Sequence, residues 1–322
     1  QNPEDEEWRY EQGEFRTQVA GDLACLKLAR GEFLQAFETF LKGGLEGDVG
    51  YMAESVLTIE ELKTYVDREA PPPAAGRQMV NGPAQAAKGD PKLRLRWLLG
   101  RRLVRADRYA EAAPYLPAPY DKVLATYAKA LDDGANPKLE KAVRARAWFA
   151  AAWIARHDGL EIMGTEVAPD VFIAEGEFET DPIAQERRTG KYTDHVYNPQ
   201  KEQTVSRPIS LKPTKEELER LNKSRLVPEV RWHYRVIAGA LAMKAAALLP
   251  DNTPELADVI NTAGNWLKDR DNKAADQCFL ALMKRAANTE IGRVAKAKRW
   301  FVDKAGPWSA REQAAHEGAQ PK

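Results

Sequence analysis

Apolar residues recur three and four positions apart along most of the chain, the period of a helix that buries one face. The pattern runs through Phe15–Ala29, Phe33–Leu41, Ile59–Val66, Leu93–Val104 and Tyr109–Leu116. It continues through Lys122–Leu131, Ala142–Ala155, Trp232–Leu249, Leu256–Leu267, Ala274–Ala286 and Ile291–Val302. Ala, Leu, Glu, Lys and Arg, the strong helix formers, are abundant. Thr214 followed by Glu217 has capping-box spacing, and Thr253-Pro254 gives an N-cap with proline at the first helical position. Two stretches break the rhythm. Residues 71–91 are rich in Pro, Gly and Ala and predict a linker. Residues 159–213 mix Thr, Tyr, Pro and Gly around Val171-Phe172-Ile173 and predict an irregular insertion with at most short strands. Such an insertion is expected to lie outside the helical stack and pack across it or reach a neighbour. The chain then divides into a helical region (1–70), the linker, a helical block (92–158), the insertion, a second block (214–304) and a polar tail (305–322).

Three stretches align with one another. They are Leu23-Ala24, Gly31-Glu32-Phe33, Ala36 and Phe40; Leu99-Gly100, Leu103, Tyr109, Ala112 and Leu116; and Ala263, Trp266, Ala275, Phe279 and Leu282. Each sets a small residue on one helix and an Ala followed by a large apolar residue on the next. A small residue is needed where two antiparallel helices approach to roughly 8–10 Å. Ala238, Ala242, Ala245 and Pro250 suggest the second half of a further unit. The pattern resembles the tetratricopeptide repeat, Trp-x2-Leu-Gly-x2-Tyr, then Ala-x3-Phe, then Pro. Leu99-Gly100-x2-Leu103 with Ala112-x3-Leu116 carries the resemblance best, with Trp97 one place late for the Trp. Ala36 and Ala112 stand 76 residues apart, near twice the family's repeat, so one degenerate unit is expected between them. The resemblance implies an all-α solenoid of antiparallel helix pairs, carrying the long irregular insertion.

Composition narrows the function classes. The 322 residues carry 48 basic and 48 acidic side chains, a net charge of zero that argues against a nucleic-acid binder. No run approaches the roughly 20 apolar residues of a transmembrane helix. Cys25 and Cys278 are too few for a disulfide framework or a zinc site and read as small buried residues. The first 14 residues hold six acids (Glu4, Asp5, Glu6, Glu7, Glu11, Glu14) against Arg9, and both ends read as frayed, solvated chain. A start at Gln1, with no leader in view, suggests a processed bacterial protein of the periplasm or cell surface; the alternative is a cytoplasmic fragment.

No enzymatic motif emerges. The histidines, His157, His195, His233 and His316, have no metal-ligand spacing. His157-Asp158 with Glu161 and Glu166 is better read as a helix end, with Gly159 as its cap, than as a metal pocket. There is no Gly-x-Ser-x-Gly elbow and no phosphate-binding Gly-x4-Gly-Lys loop, so neither a catalytic residue nor a cofactor is expected. Glu60-Glu61 and Glu216-Glu217 suit helix starts.

Basic residues do cluster. Lys92, Arg94, Arg96, Arg101, Arg102, Arg105 and Arg108 face only Asp107 between positions 92 and 108, and a second cluster runs from Lys284 to Lys304. On a helix, Arg94, Trp97, Arg101 and Arg105 share a face. In tetratricopeptide proteins the first helix of each repeat lines the concave ligand surface. The resemblance therefore implies Arg94, Trp97, Arg101, Val104 and Arg105 as partner-binding residues. Arg forks there would grip carboxylates, so the expected partner is an acidic segment of another protein or this chain's own acidic start. The leading expectation is a non-enzymatic scaffold for protein–protein interaction. One alternative is an α-helical glycan- or solute-binding surface protein, similar in helix content to starch-binding outer-membrane lipoproteins, with eight Trp and ten Tyr as stacking platforms. Another is the scaffold part of an enzyme such as a lytic transglycosylase.

Overall fold

The computed structural model describes residues 3–72, 90–165, 182–189, 193–198, 203–208, 212–231 and 233–319. In chain order the helices are α1 (Pro3–Ala29), α2 (Phe33–Lys42), α3 (Glu46–Tyr51), α4 (Ile59–Glu69), α5 (Pro91–Arg105) and α6 (Tyr109–Ala112). They continue as α7 (Tyr120–Ala135), α8 (Lys141–His157), α9 (Gly159–Ile162) and α10 (Pro182–Thr189). After a hairpin of β1 (Thr193–Asn198) and β2 (Gln203–Pro208) come α11 (Lys215–Lys223), α12 (His233–Leu248), α13 (Pro254–Leu267), α14 (Asn272–Arg285), α15 (Glu290–Lys298) and α16 (Pro307–Ala319). The fold is thus dominated by helix, as the periodicity predicts. The hairpin is antiparallel, pairing Thr193 with Pro208 and Asn198 with Gln203.

The chain forms two compact units, one of residues 1–102 with 166–231 and the other of residues 103–165 with 232–322. The division falls inside α5 and not at the expected linker, most of which lies outside the described residues. In the first unit α1 packs on α2 through Ala24, Leu28, Phe33 and Ala36, all buried. Between the first two aligned stretches stands the pair α3 and α4. A π-helical turn, Met52–Val56, ends α3, and Thr58 opens α4 with a full capping box to Glu61. In the second unit each long helix packs on the next: α7 on α8, α8 on α12, α12 on α13, α13 on α14. Glycines allow close approach there. A Cβ on Gly134 would meet the Trp148 ring at 2.6 Å, and one on Gly239 would meet Leu267 at 2.7 Å.

The small residues of the three aligned stretches, Ala24, Ala36, Gly100, Ala112, Ala263 and Ala275, are all buried. Within each stretch the pair is 12 positions apart. The second stretch departs from expectation at its second helix. That helix was expected to run from Tyr109 to Leu116, but α6 is a single turn that tightens to a 3-10 turn at Ala113–Tyr115. Pro114 has no N–H to donate, and its ring opposes a continued α-helix.

The expected polar tail is also corrected. Residues 307–319 are helical, and α16 packs on α13. The acidic start is likewise helical from Pro3. Of the insertion, Gly159–Ile162 continues the preceding helix pair as α9, while α10 joins the first unit by packing on α3; α11, which opens the expected second block, also belongs to the first unit and packs on α10 and the π-helical turn. Val171-Phe172-Ile173 lies outside the described residues. Gly159 does not cap α8 but begins α9, and its bareness admits Tyr234, whose Cβ lies 2.6 Å from where a Gly159 Cβ would be.

Candidate interaction surface

Of the five residues expected to form an open concave face, Trp97, Arg101 and Val104 are buried and Arg94 and Arg105 are half-buried. Every residue from Leu95 to Val104 is buried, so this stretch of α5 presents no open face. Trp97 is 8% exposed, Arg101 2% and Val104 3%, with the Arg101 guanidinium 4.3 Å over the Trp97 ring. Arg94 pairs with Glu46 at 3.3 Å. Arg105 donates to the Met163 carbonyl at 2.9 Å. Arg94, Trp97 and Arg101 belong to the first unit, Val104 and Arg105 to the second. The neighbouring arginines explain the burial. Arg102 donates to the Ala53 and Leu57 carbonyls at 2.6 and 2.9 Å, and Arg96 to the Ala70 carbonyl at 3.3 Å. These carbonyls lie at helix ends, where the last acceptors lack intrahelical donors. Arg96, Arg102 and Arg105 serve as internal caps, a use that a charge pattern does not distinguish from a solvated face.

Two polar clusters that the sequence did not announce hold added segments in place. In the first unit the fully buried Glu217 receives Tyr51 Oη at 2.6 Å on one oxygen and Arg187 Nη2 at 2.8 Å on the other, with Arg187 Nε bonded to the same oxygen as Tyr51. Burial and the adjacent carboxylate push the Tyr51 phenol far above its ordinary pKa. Arg220 reinforces the contact by pairing with Glu61 at 2.6 Å while its guanidinium lies 4.0 Å over Phe33. The residues of α10 and α11 are thereby fixed to the helices before them.

In the second unit the buried Asp258 carboxylate accepts from the backbone N–H groups of Gly306, Trp308 and Ser309 at 3.1, 2.7 and 2.8 Å. It also accepts from Ser309 Oγ at 2.6 Å and Thr262 Oγ1 at 3.2 Å. A residue about 50 positions upstream therefore caps α16. Beneath α16 lies a bed of rings. Trp153 stacks on His157 with centroids 4.3 Å apart, Phe149 lies parallel to Trp266 at 6.4 Å, and Trp308 approaches Phe149 at 5.8 Å. Arg146 sits over Trp308 at 4.9 Å and pairs with Glu312 at 3.0 Å.

Of the four histidines, His195 is on β1 and His233 opens α12, while His157 and His316 meet at 5.3 Å between centroids. His157 Nδ1 donates to the Trp153 carbonyl at 2.9 Å, and His316 Nε2 lies 3.4 Å from Asp158. Crowding by protein, with Arg156 and His316 adding to it, holds the His157 pKa down to about 4. Burial raises that of Asp158. Glu166 lies outside the described residues.

Among the described residues of the first unit, four exposed large apolar side chains fall on α1. Phe15 is 68% exposed, Val19 48%, Leu23 46% and Leu26 48%. Spacings of four, four and three put these side chains on one stripe, away from the buried Ala24 and Leu28 that meet α2. Thr17 Oγ1 donates to the Gly43 carbonyl at 3.4 Å, so the helix N-terminal to Thr17 runs beyond the end of α2. A groove follows the stripe, bordered by Thr39, Gly43 and the cationic Arg16 and Lys42. The periodicity of Phe15–Ala29 revealed the helix but merged its two apolar faces. Separating 15, 19, 23 and 26 from 24 and 28 by helical angle is the signal that would have found this surface.

Among the described residues no group of three or more His, Cys, Asp or Glu side chains is arranged to hold a metal ion, and no helix is long and apolar enough to cross a membrane. No protein-family model, curated protein or solved structure matches the chain.

Proposed function

We propose that the chain is a non-enzymatic, tetratricopeptide-like helical scaffold that binds another protein chain, and that α1 with its groove is the surface that does so. The observation that carries the reading is the stripe of Phe15, Val19, Leu23 and Leu26, four large apolar side chains held open to solvent on one helix. Contiguous exposed apolar surface on a soluble fold marks an interaction site more often than chance exposure does. The repeat-like character is supported by the common spacing of the buried small residues and by the packing of successive helices in the second unit. The basic rim, Arg16 and Lys42, suits the acidic partner expected from the sequence, at a different place from the α5 face. The test is affinity purification from the native source with the wild-type chain and with Val19→Asp/Leu23→Asp. A protein captured by the first and lost with the second supports the reading; identical captures refute it.

A further inference from the structure

We infer that a cleft between α2, α3 and α5 binds a short-chain aliphatic carboxylate, with Arg94 as the residue that takes its carboxyl group. The cleft lies within the first unit and no described α1 residue lines it, so the inference is independent of the protein-binding reading. Leu41 near the end of α2, Val49 of α3, and Pro91 and Leu95 of α5 form its apolar wall. Its volume is about 90 Å³. A closed apolar cavity of about 150 Å³ accepts benzene, so this space suits an alkyl group of about three or four carbons. Gly44 borders it at φ +71°, and a Cβ there would meet nothing within 4 Å, which marks an open side.

The polar side of the cleft is an arginine whose fork is half filled. Arg94 and Glu46 both line it, joined by one hydrogen bond from Arg94 Nη2 to Glu46 Oε1 at 3.3 Å. Charge-assisted bonds of this kind normally run to about 2.7–2.9 Å. Arg94 Nε is buried and has no hydrogen-bond partner. Nε and Nη2 point the same way from a guanidinium and together grip the two oxygens of one carboxylate. Arg108 shows the filled form in this chain, with Nε and Nη2 on the two Glu111 oxygens at 2.9 and 2.8 Å. Glu46 makes no such grip, its side chain being 60% exposed where that of Arg94 is 13% exposed. A buried donor left without an acceptor is costly, and the water-facing Glu46 gives up little on leaving. A ligand carboxylate whose alkyl group lies on Leu41, Val49 and Leu95 fills both positions of the fork. Asp90, the acid just before α5, is engaged by the Lys92 and Leu93 N–H groups at 3.0 and 3.2 Å. A free acid such as isovalerate and the C-terminal valine of a peptide present the same chemistry.

The experiment follows the methyl resonances of Leu41, Val49 and Leu95 in the full chain during titration with sodium isovalerate, with its uncharged isostere isovaleramide, and with acetyl-Gly-Val. Saturable shifts of these methyls at millimolar isovalerate are expected, with isovaleramide about tenfold weaker or more. Equal or tighter binding of acetyl-Gly-Val assigns the site to a peptide end, and binding of isovalerate alone assigns it to the free acid. Arg94→Gln is expected to lower isovalerate affinity to that of the amide. Glu46→Gln, a change at an exposed side chain, is expected to raise it about two- to fivefold by removing the competing carboxylate. No saturable shift with either carboxylate overturns the inference, as does equal affinity for isovalerate and isovaleramide. A Glu46→Gln protein that binds isovalerate no tighter than wild type overturns the role given to the Arg94 fork.

Discussion

Replacing Asp258 with Ala removes the one carboxylate that caps α16, and the structure sets the size of the loss. Five donors converge on this side chain, three of them backbone N–H groups at the start of a helix that have no intrahelical acceptor. A hydrogen bond to a charged group contributes about 1.5–3 kcal/mol, and the loss of an N-cap costs about 0.5–2 kcal/mol. These figures do not add, because the wild type also bears the cost of dehydrating the carboxylate. Gly306 and Trp308 are half-buried, so water replaces part of what they lose, and Gly306 N–H keeps Ser309 Oγ at 2.9 Å; Ser309 is buried, and its hydroxyl keeps only a long contact of 3.4 Å to the Gly306 carbonyl. Its N–H and hydroxyl then set the scale, about 3–4 kcal/mol for Asp258→Ala. At about 2–4 °C per kcal/mol for a unit of this size, the thermal midpoint of the second unit falls by roughly 10 °C. Asp258→Asn keeps an acceptor without the charge and is expected to lose about half as much. Thermal and urea unfolding give the magnitude, and amide exchange at Trp308 and Ser309 locates it, since only loss of the cap speeds exchange there selectively. An Asp258→Ala protein that melts within 2 °C of wild type, or whose α16 amides stay as protected, would falsify the reasoning (2 °C corresponds to a loss of only about 0.5–1 kcal/mol).

Three further outcomes follow from the other buried groups. Glu217→Ala leaves Arg187 and Tyr51 without their shared carboxylate and is expected to cost about 3–5 kcal/mol, with Glu217→Gln intermediate; urea unfolding monitored by circular dichroism checks it. Arg101→Glu/Arg105→Glu sets a carboxylate inside the packed α5 environment and is expected to lower the melting temperature sharply; a double variant that melts like wild type would show that this face is open after all. His157 is held neutral in the fold, with a pKa of about 4 against an ordinary 6.5. Between those values the unfolded chain binds the proton more strongly, so stability is full above about pH 6.5 and falls as pH drops toward 4, with the raised Asp158 carboxyl opposing part of the fall by taking up a proton in the fold. Denaturant midpoints across that range should slope in the wild type and flatten in His157→Gln.

How far the fold was legible depends on whether a signal is local. Helices announce themselves through periodicity and caps, because i to i+4 neighbours are set by the backbone alone. Thr214 and Thr253 accept from the N–H groups of Glu217 and Leu256 as their spacing foretold. Small residues 12 apart were legible for the same reason, since the helix–turn–helix fixes both ends. The C-terminal helix was missed because its cap comes from Asp258, far upstream, and its anchors are one Trp, one Glu and one His on a polar sequence. Nothing within residues 305–322 announces those partners.

The arginines of α5 show the same limit in its sharpest form. A helix of alternating Leu and Arg reads as one solvated face and one buried face, and that reading assigned Arg94, Trp97, Arg101, Val104 and Arg105 to an open groove. Yet guanidinium groups satisfied by helix-end carbonyls tolerate enclosure, because each backbone acceptor they reach is itself short of a donor. Burying Arg102 answers two needs at once, the fork of one side chain and the open carbonyls where α3 ends. Whether a charged stripe faces water is therefore decided by the acceptors that surrounding helices leave unmatched, and these belong to residues some 45–49 positions away. The reverse holds for α1. Its apolar stripe looked like core because every apolar stripe does; it stays open because α2 packs on the other face of α1, against Ala24 and Leu28. In this chain the surface left open and the surface that packs carry each other's expected chemistry, cations within α5 and hydrocarbon outside on α1. The cause in both cases is which neighbouring elements reach each face.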